Sequence, residues 1–238
     1  MTTFPTERIH NVVLVGHAGV GTTTLAEALL AKAGAVARAG RVDDGTSLLD
    51  TEPESVKARM SMSLAVAPFE WTDTDGNTYK VNLLDTPGSI DFAGEVDAAL
   101  AVADLAVFVV SAVEGVEPQT EVWWRKATAM QLPRMVFVNK DDKDRADFHA
   151  VVEQLRAVFG AGFVPLELPV GEAGSLQGVV DVLADDAPGH DELIEEIVAG
   201  DDAQLERYLS GDTPSVAELE RRMRLRGQDS NEVIRRRM

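Results

Sequence analysis

The sequence predicts an α/β fold in which helices cover both faces of a mostly parallel sheet. Short apolar runs that suit buried strands alternate with segments of helical apolar spacing along the first 160 residues. This alternation is typical of parallel sheets whose strands are joined by crossover helices. A length of 238 residues with 45% hydrophobic content is sufficient for one such domain and a small appended subdomain.

The first strand, loop and helix are predicted near the N-terminus. Asn11–Val15 is apolar and β-branched, and the segment 23–33 has helical spacing. The apolar residues of that helix are Leu25, Ala28, Leu29 and Ala33. Residues 39–59 are polar without a sustained period, so we predict a mobile loop with one helical turn near residues 54–59. Strands at 62–72 and 79–84 are joined by Asp75-Gly76-Asn77, which favours a hairpin.

The alternation continues to about residue 160 and then changes. Apolar runs predict buried strands at Leu105–Val110 and Arg134–Val138. The predicted helices of this part are 92–103, 120–130 and 146–159. After Gly160 we predict one strand at 163–168 and helices at 191–198, 202–209 and 215–226. We therefore expect residues 1–160 to form the main domain and residues 161–238 a small, mainly helical subdomain with a basic tail.

The chain is strongly acidic except for one cluster of arginines. The chain has 40 acidic and 22 basic residues and a net charge of −18, which disfavours DNA as a partner. Seven arginines lie between Arg221 and Arg237, and they indicate either a solvated helix face or an RNA- or partner-binding tail. The chain has no cysteine and no run near the roughly 20 apolar residues of a membrane span. We expect a cytoplasmic protein without membrane contact.

The loop after the first strand carries groups that bind phosphate. Residues Gly16–Thr23 read GHAGVGTT, which matches the pattern GxxxxGK[ST] except that Thr22 stands at the lysine position. The glycines let backbone N–H groups face a phosphate, and Thr23 can place a hydroxyl on Mg²⁺. The substitution removes one cation from the β- and γ-phosphates. The predicted nucleotide-binding residues here are Gly16, His17, Ala18, Gly19, Val20, Gly21, Thr22, Thr23 and Thr24.

Two further motifs follow buried strands. In Asp85-Thr86-Pro87-Gly88, the aspartate can hold Mg²⁺ through water and the Gly88 N–H can meet a γ-phosphate. Residues 139–142 have the spacing NKxD, which reads guanine in GTPases. There Asp142 would accept protons from the base, Lys140 would lie along it, and Asn139 would tie this loop to the phosphate loop. Three motifs in this order, each after a predicted parallel strand, favour a P-loop NTPase fold that binds guanine nucleotide.

On these motifs the chain resembles the GTP-binding domain of elongation factor G. The segments with counterparts in that family are NVVLVGHAGVGTTTLAEALL, NLLDTPGSIDFAGEV, VVSAVEGVEPQTE and LPRMVFVNKDDKDRADF, and VPLELPVGEAGSLQGVVDVL resembles the start of its G′ subdomain. Together they cover about residues 9–226. The resemblance implies a G′-like insert at the C-terminus, GTP or GDP with Mg²⁺ as ligands, and the ribosome or a translation factor as partner.

The resemblance also implies roles for single residues. Thr23, Ser61 and Asp85 would hold Mg²⁺, with Ser61 at the position of the family's switch I threonine. Gly88 and Ser89 would lie at the catalytic position, although Ser89 replaces the histidine that orients the attacking water. The chain ends at Met238, before the loop that backs the guanine base and before the final strand, so we expect an incomplete domain.

The sequence leaves three hypotheses open. The chain is a GTPase that hydrolyses GTP slowly, or a degenerate relative that acts as a binding or regulatory protein, or a fragment of a longer elongation factor. The first is favoured by the three ordered motifs, and the second by Thr22, Ser89 and the missing base loop. Under the first two we expect weak, guanine-selective binding.

Overall fold

A computed structural model describes residues 3–160, 163–171, 174–184, 186–199, 201–216 and 218–219. The arginine cluster Arg221–Arg237 and the end of the helix predicted at 215–226 lie outside the described residues. The chain divides into two units, of which the first contains residues up to 110 together with 116–139. The second contains 111–115 and the residues from 140 onward. The boundary expected near Gly160 falls within the second unit and stays a prediction.

The first unit is built on a five-stranded sheet. Its strands are β1 (Ile9–Val15), β2 (Ala65–Thr72), β3 (Thr78–Asp85), β4 (Leu105–Ser111) and β5 (Arg134–Asn139). Their order is β2-β3-β1-β4-β5, with β1 parallel to both of its neighbours and β2 antiparallel to β3. The predicted α/β fold with a mostly parallel sheet is confirmed.

The hairpin between β2 and β3 forms where the Asp-Gly-Asn turn predicts it. Asp73 Oδ1 accepts hydrogen bonds from the N–H groups of Asp75 and Asn77, at 3.0 and 2.8 Å. The strand before this turn begins at Ala65, three residues later than predicted. The N–H of Leu64 donates to Glu95 Oε2 at 3.1 Å, so this backbone group is bound by a side chain and does not extend the strand ladder.

Helices cover both faces of the sheet. The helices of the first unit are α1 (Thr22–Lys32), α2 (Pro53–Ala58), α3 (Ala93–Val102) and α4 (Pro118–Ala129). Leu14 of β1 and Val107 of β4 share a buried cluster with Leu30 of α1. The next residue of β4, Phe108, points to the opposite face, where its ring centroid lies 4.9 Å from that of Trp124 in α4. The core therefore lies on both sides of the sheet, as the uninterrupted apolar strands predict.

Three of the four apolar residues predicted for the inner face of α1, Leu25, Leu29 and Ala33, pack half-buried against the core cluster. Ala26 and Leu30 are its buried apolar residues, whereas Ala28 is exposed. Thr23 and Glu27 are buried on the same helix. The predicted inner face of α1 is therefore largely correct, with Ala28 as the exception. The buried polar residues find hydrogen-bond partners in loops that lie far away in the sequence.

The second unit contains helices and a small sheet of its own. Its elements are α5 (Phe148–Phe159), β6 (Glu167–Val170), β7 (Gly178–Asp181), α6 (His190–Val198) and α7 (Asp202–Leu209). The strand predicted at 163–168 begins later and pairs antiparallel with β7, a four-residue strand that the sequence analysis missed. Leu193 and Ile194 of α6 form a separate core with Val182 and Leu219. Within the part of the chain that the structure describes, no helix is long and apolar enough to cross a membrane.

Candidate functional site

The predicted phosphate-binding pattern forms a tight loop between β1 and α1. Gly19 and Gly21 have φ angles of 81° and 100°, which glycine adopts without strain. A Cβ on Gly21 would also lie 2.5 Å from Asn139 Nδ2, so a larger residue would have to displace that side chain and its bond to Val20. Gly21 is the N-cap of α1, and no side chain caps this helix end. The N–H groups of the first turn can therefore bind a phosphate.

Side chains in this loop differ in burial. Val20 is fully buried, Thr22 is 8% exposed, and Ala18, Gly19 and Thr24 are exposed. The half-buried His17 places Nδ1 2.8 Å from the carbonyl oxygen of Ala18. Gly16 is buried, and a Cβ there would lie 2.5 Å from Val20 Cγ1. The threonine at the lysine position is thus turned inward and presents no cation to the loop.

The loop after β3 packs directly against the phosphate loop. A Cβ on Gly88 would lie 2.6 Å from the backbone nitrogen of Ala18, so only glycine allows this approach. Thr86 is fully buried and donates from Oγ1 to the carbonyl oxygen of Leu14 at 2.7 Å. This bond holds the loop on β1 and places Asp85 at the base of the phosphate loop.

The three residues expected to hold Mg²⁺ lie together. Thr23 Oγ1 donates to Asp85 Oδ2 at 2.6 Å and lies 3.1 Å from Ser61 Oγ. Ser61 Oγ in turn donates to Asp50 Oδ2 at 2.8 Å. We call Thr23, Asp50, Ser61 and Asp85 the hydroxyl–carboxylate cluster. Asp50 is a member that sequence reasoning missed, because it lies in the polar stretch without a period and no motif marks it.

Asp85 is the most deeply buried acid of this cluster. It is 2% exposed, and its Oδ1 has no hydrogen-bond partner among the described residues. Burial raises the pKa of Asp85 to about 7, and the carboxylate of Asp50 adds to the rise, whereas hydrogen bonds from Thr23 and Thr22 oppose it. Burial likewise raises the pKa of Asp50. Two buried carboxylates, of which Asp50 raises the pKa of Asp85, favour a nearby cation.

The donors of the hydroxyl–carboxylate cluster fit Mg²⁺. This ion prefers carboxylate and hydroxyl oxygens, keeps several waters and takes phosphate oxygens from a bound nucleotide. Among the described residues, no group of three or more His, Cys, Asp or Glu side chains could hold a metal on its own. Phosphate and water oxygens would therefore complete the coordination. The unpartnered Oδ1 of Asp85 is the observation that supports this fit.

The residues of the NKxD motif are divided between the two units. Asn139 Nδ2 donates to the carbonyl oxygen of Val20 at 2.8 Å, so the end of β5 is tied to the phosphate loop. In the second unit, Lys140 has a φ of 63° and its Nζ lies 3.2 Å from Glu114 Oε2. Hydrogen bonds from Ser111 and Lys140 lower the pKa of Glu114, a partner that the sequence analysis missed. Asp142 has a side chain that is 63% exposed, and its Oδ2 lies 3.2 Å from Lys143 Nζ.

Ser89 lies at the expected catalytic position and makes local contacts. It caps the short 3-10 turn Ile90–Phe92, where its Oγ accepts from the N–H of Asp91 at 3.3 Å. The same Oγ donates to Asp91 Oδ2 at 3.3 Å. The hydroxyl can bind a water molecule, but it is a far weaker base than an imidazole.

Comparison with known proteins identifies the kind of domain to which these elements belong. The family model described as the elongation factor Tu GTP binding domain matches residues 7–210. A crystal structure from Thermus thermophilus, described as ttk003000868, aligns with a TM-score of 0.82 and 36% sequence identity. That alignment covers 95% of this chain and 37% of the Thermus chain, so this chain spans well under half the length of the solved protein.

Proposed function

We propose, since this chain belongs to the elongation factor Tu GTP-binding domain family, that it binds GTP and GDP with Mg²⁺ as the nucleotide-binding part of an elongation factor G-like protein. The observation that carries the proposal is the hydroxyl–carboxylate cluster beside the phosphate loop. Thr23, Ser61 and Asp85 are far apart in sequence, yet a hydrogen bond of 2.6 Å and a contact of 3.1 Å join them at the first turn of α1.

Each group of residues has a distinct task in this proposal. The N–H groups from Gly16 to Thr24 bind the phosphates, and the cluster holds the metal. When bound, Mg²⁺ neutralises charge on the β- and γ-phosphates. Asp142 accepts the N1 and exocyclic amine protons of guanine, a pair of donors that adenine does not offer. The bond from Asn139 to Val20 holds the end of β5 on the phosphate loop.

Two substitutions predict weak binding and slow hydrolysis. Thr22 contributes a hydroxyl where the motif has a lysine, so one ionic contact to the phosphates is lost. A lost ionic contact of this kind costs roughly 2–3 kcal/mol, or about two orders of magnitude in affinity. Ser89 stands at the position of the water-orienting histidine and lacks its basicity.

A nucleotide titration tests the proposal. Fluorescent GDP and GTP analogues are titrated with Mg²⁺ into the natural chain and into Thr22→Lys. We expect weak, guanine-selective binding by the natural chain and a clear gain in the variant. Ala28→Lys is the matched control, because Ala28 is exposed on the same helix and the substitution adds the same charge outside the phosphate loop. The proposal is wrong if neither chain binds below about 1 mM and lysine at position 22 changes nothing.

A second candidate function is that of a binding or regulatory protein that does not hydrolyse GTP. The changes at Thr22 and Ser89 favour it. Under both candidates we propose the ribosome or a translation factor as the partner, and the cytoplasm as the location. Co-sedimentation with ribosomes tests the partner, and phosphate release from GTP with and without ribosomes separates the two candidates. Turnover above the uncatalysed rate would exclude the second.

A further inference from the structure

A buried carboxylate on α1 anchors the polar loop that precedes α2. Glu27 is fully buried and accepts three hydrogen bonds from that loop. Its Oε2 accepts from the N–H of Gly40 at 2.9 Å. Its Oε1 accepts from Ser47 Oγ at 2.7 Å and from the N–H of Leu48 at 2.6 Å. No nucleotide-binding motif includes this residue, and the donors lie 13 to 21 positions away along the chain.

The anchor shapes the loop as far as Asp50. Ser47 Oγ, which donates to Glu27, also accepts from the N–H groups of Leu49 and Asp50 at 3.1 and 3.2 Å. At the other end of the loop, a Cβ on Gly40 would lie 2.4 Å from the carbonyl oxygen of Thr46. The two ends of this segment are therefore closed on one another around the carboxylate. A single side chain of α1 organises the backbone of residues 40–50.

The loop and the hydroxyl–carboxylate cluster meet on one face of α1. Thr23 and Glu27 are four residues apart, so they lie one above the other on the same face. Thr23 contacts Ser61 at 3.1 Å, and Ser61 donates to Asp50 at 2.8 Å. Asp50 is thus held from two sides, by its own backbone through Ser47 and by its side chain through Ser61. Loss of the anchor at Glu27 would free the first of these constraints.

We propose that Glu27 is a positioning residue, which holds residues 40–50 against α1 so that Asp50 stays bonded to Ser61, and Ser61 stays in contact with Thr23, in the metal-binding arrangement. The carboxylate suits this task because it presents only acceptors to three donors. Removal of one acceptor leaves a buried N–H or hydroxyl without a partner, which is costly. The positioning of the loop is independent of the proposed function, whereas the effect on metal binding rests on it.

The first experiment measures loop order without nucleotide. The chain has no cysteine, so a nitroxide can be attached to Leu48→Cys alone, at a side chain that is 56% exposed and outside the hydrogen bonds of the anchor. We expect a more mobile electron paramagnetic resonance spectrum in Glu27→Gln than in the parent, because the amide replaces one acceptor by a donor. Ser47→Ala, which breaks the same contact from the loop side, should shift the spectrum in the same direction if Glu27→Gln does not fold.

Two controls distinguish the loss of the Glu27 anchor from a general loss of order in the protein. A nitroxide at Val66→Cys on β2, where the side chain is 57% exposed, should give the same spectrum with and without Glu27→Gln. Glu54→Gln, at an exposed position of α2, should leave the Leu48→Cys spectrum unchanged. The proposal is overturned if the spectrum of the Leu48→Cys label is unchanged in both Glu27→Gln and Ser47→Ala. It is also overturned if Glu27→Gln increases the mobility of the Val66→Cys label by the same amount.

The second experiment measures how much Mg²⁺ adds to the affinity for a fluorescent GDP analogue, by comparison with EDTA. We expect the gain from Mg²⁺ to be about tenfold smaller in Glu27→Gln, with little change in EDTA. If the loop becomes mobile in Glu27→Gln while Mg²⁺ raises the affinity for the GDP analogue as much as in the parent, the proposed effect of Glu27 on metal binding is overturned. If the parent chain binds no nucleotide, the proposed function fails, and the nitroxide spectra still decide whether Glu27 holds the loop.

Discussion

The buried carboxylate of Asp85, whose Oδ1 has no hydrogen-bond partner among the described residues, predicts that Asp85 contributes less to stability as the pH rises when nucleotide and Mg²⁺ are absent. Burial raises the pKa of Asp85 from 3.8 to about 7 in the folded chain. The folded state therefore binds this proton more tightly than the unfolded state, and the contribution of Asp85 to the free energy of unfolding falls between about pH 4 and pH 7. Asp85→Asn removes the titration and keeps an oxygen that can accept from Thr23.

The size of the effect follows from the pKa difference. A shift from 3.8 to about 7 corresponds to roughly 4 kcal/mol once both states are ionised. At pH 5 only part of this penalty is present, because the folded state still holds the proton. Between pH 5 and pH 8 we expect the natural chain to lose about 3 kcal/mol relative to Asp85→Asn. Acidic residues that do not interact with Asp85 titrate alike in both proteins and cancel in the difference.

Urea unfolding at pH 5 and pH 8, in EDTA, measures this difference. The control is Asp75→Asn, at an exposed position of the β2–β3 turn, which should track the natural chain at both pH values. If the gap between the natural chain and Asp85→Asn is the same at pH 5 and pH 8, the reasoning is refuted, because Asp85 would then have an ordinary pKa in the folded state.

Three further predictions concern other parts of the site. Gly21→Ala should destabilise the protein by roughly 1–3 kcal/mol more than Gly34→Ala in thermal or urea unfolding. Both glycines have positive φ, but only a Cβ on Gly21 would clash, at 2.5 Å from Asn139 Nδ2; equal losses would contradict this. Asp142→Asn should shift preference from GDP towards xanthosine diphosphate in a competition assay, because the amide offers a donor to the 2-oxo group; an unchanged preference would argue against Asp142 as the base reader. Ser89→His should raise GTP turnover measured by phosphate release, and a faster natural chain would contradict an impairing role for Ser89.

The sequence analysis succeeded where local pattern and topology agree. Uninterrupted apolar runs such as Leu105–Val110 predicted strands that are buried on both faces, and the observed strand β4 extends this run by one residue. The Asp-Gly-Asn turn predicted the β2–β3 hairpin. The four-residue strand β7 was not predicted, because it is too short to show a recognisable alternation of apolar and polar residues. In α1 the apolar spacing identified Leu25, Leu29 and Ala33, which pack on the core, but not the buried polar residues Thr23 and Glu27.

The site residues also divide into those whose place could be predicted from the sequence and those whose place could not. Residues 16–24, Asp85 and Asn139 could be placed near one another from the sequence, because the carboxyl ends of parallel strands meet at one edge of a sheet. Asp50 and Glu27 could not, because their partners come from segments without a period or a motif. One signal for Glu27 was available: it lies four residues after Thr23 and so on the same face of a helix.

The α/β fold, the guanine-nucleotide motifs and the absence of a cation at Thr22 can all be read from the linear sequence. These features depend on residue types at short spacings, which a linear reading preserves. Only the tertiary structure decided that Thr23, Ser61 and Asp85 lie within hydrogen-bonding distance, that Asp50 joins them, and that Glu27 holds the loop that carries Asp50. The physical reason is that a buried polar group must find its partners in space, and chain folding, not sequence separation, brings those partners together.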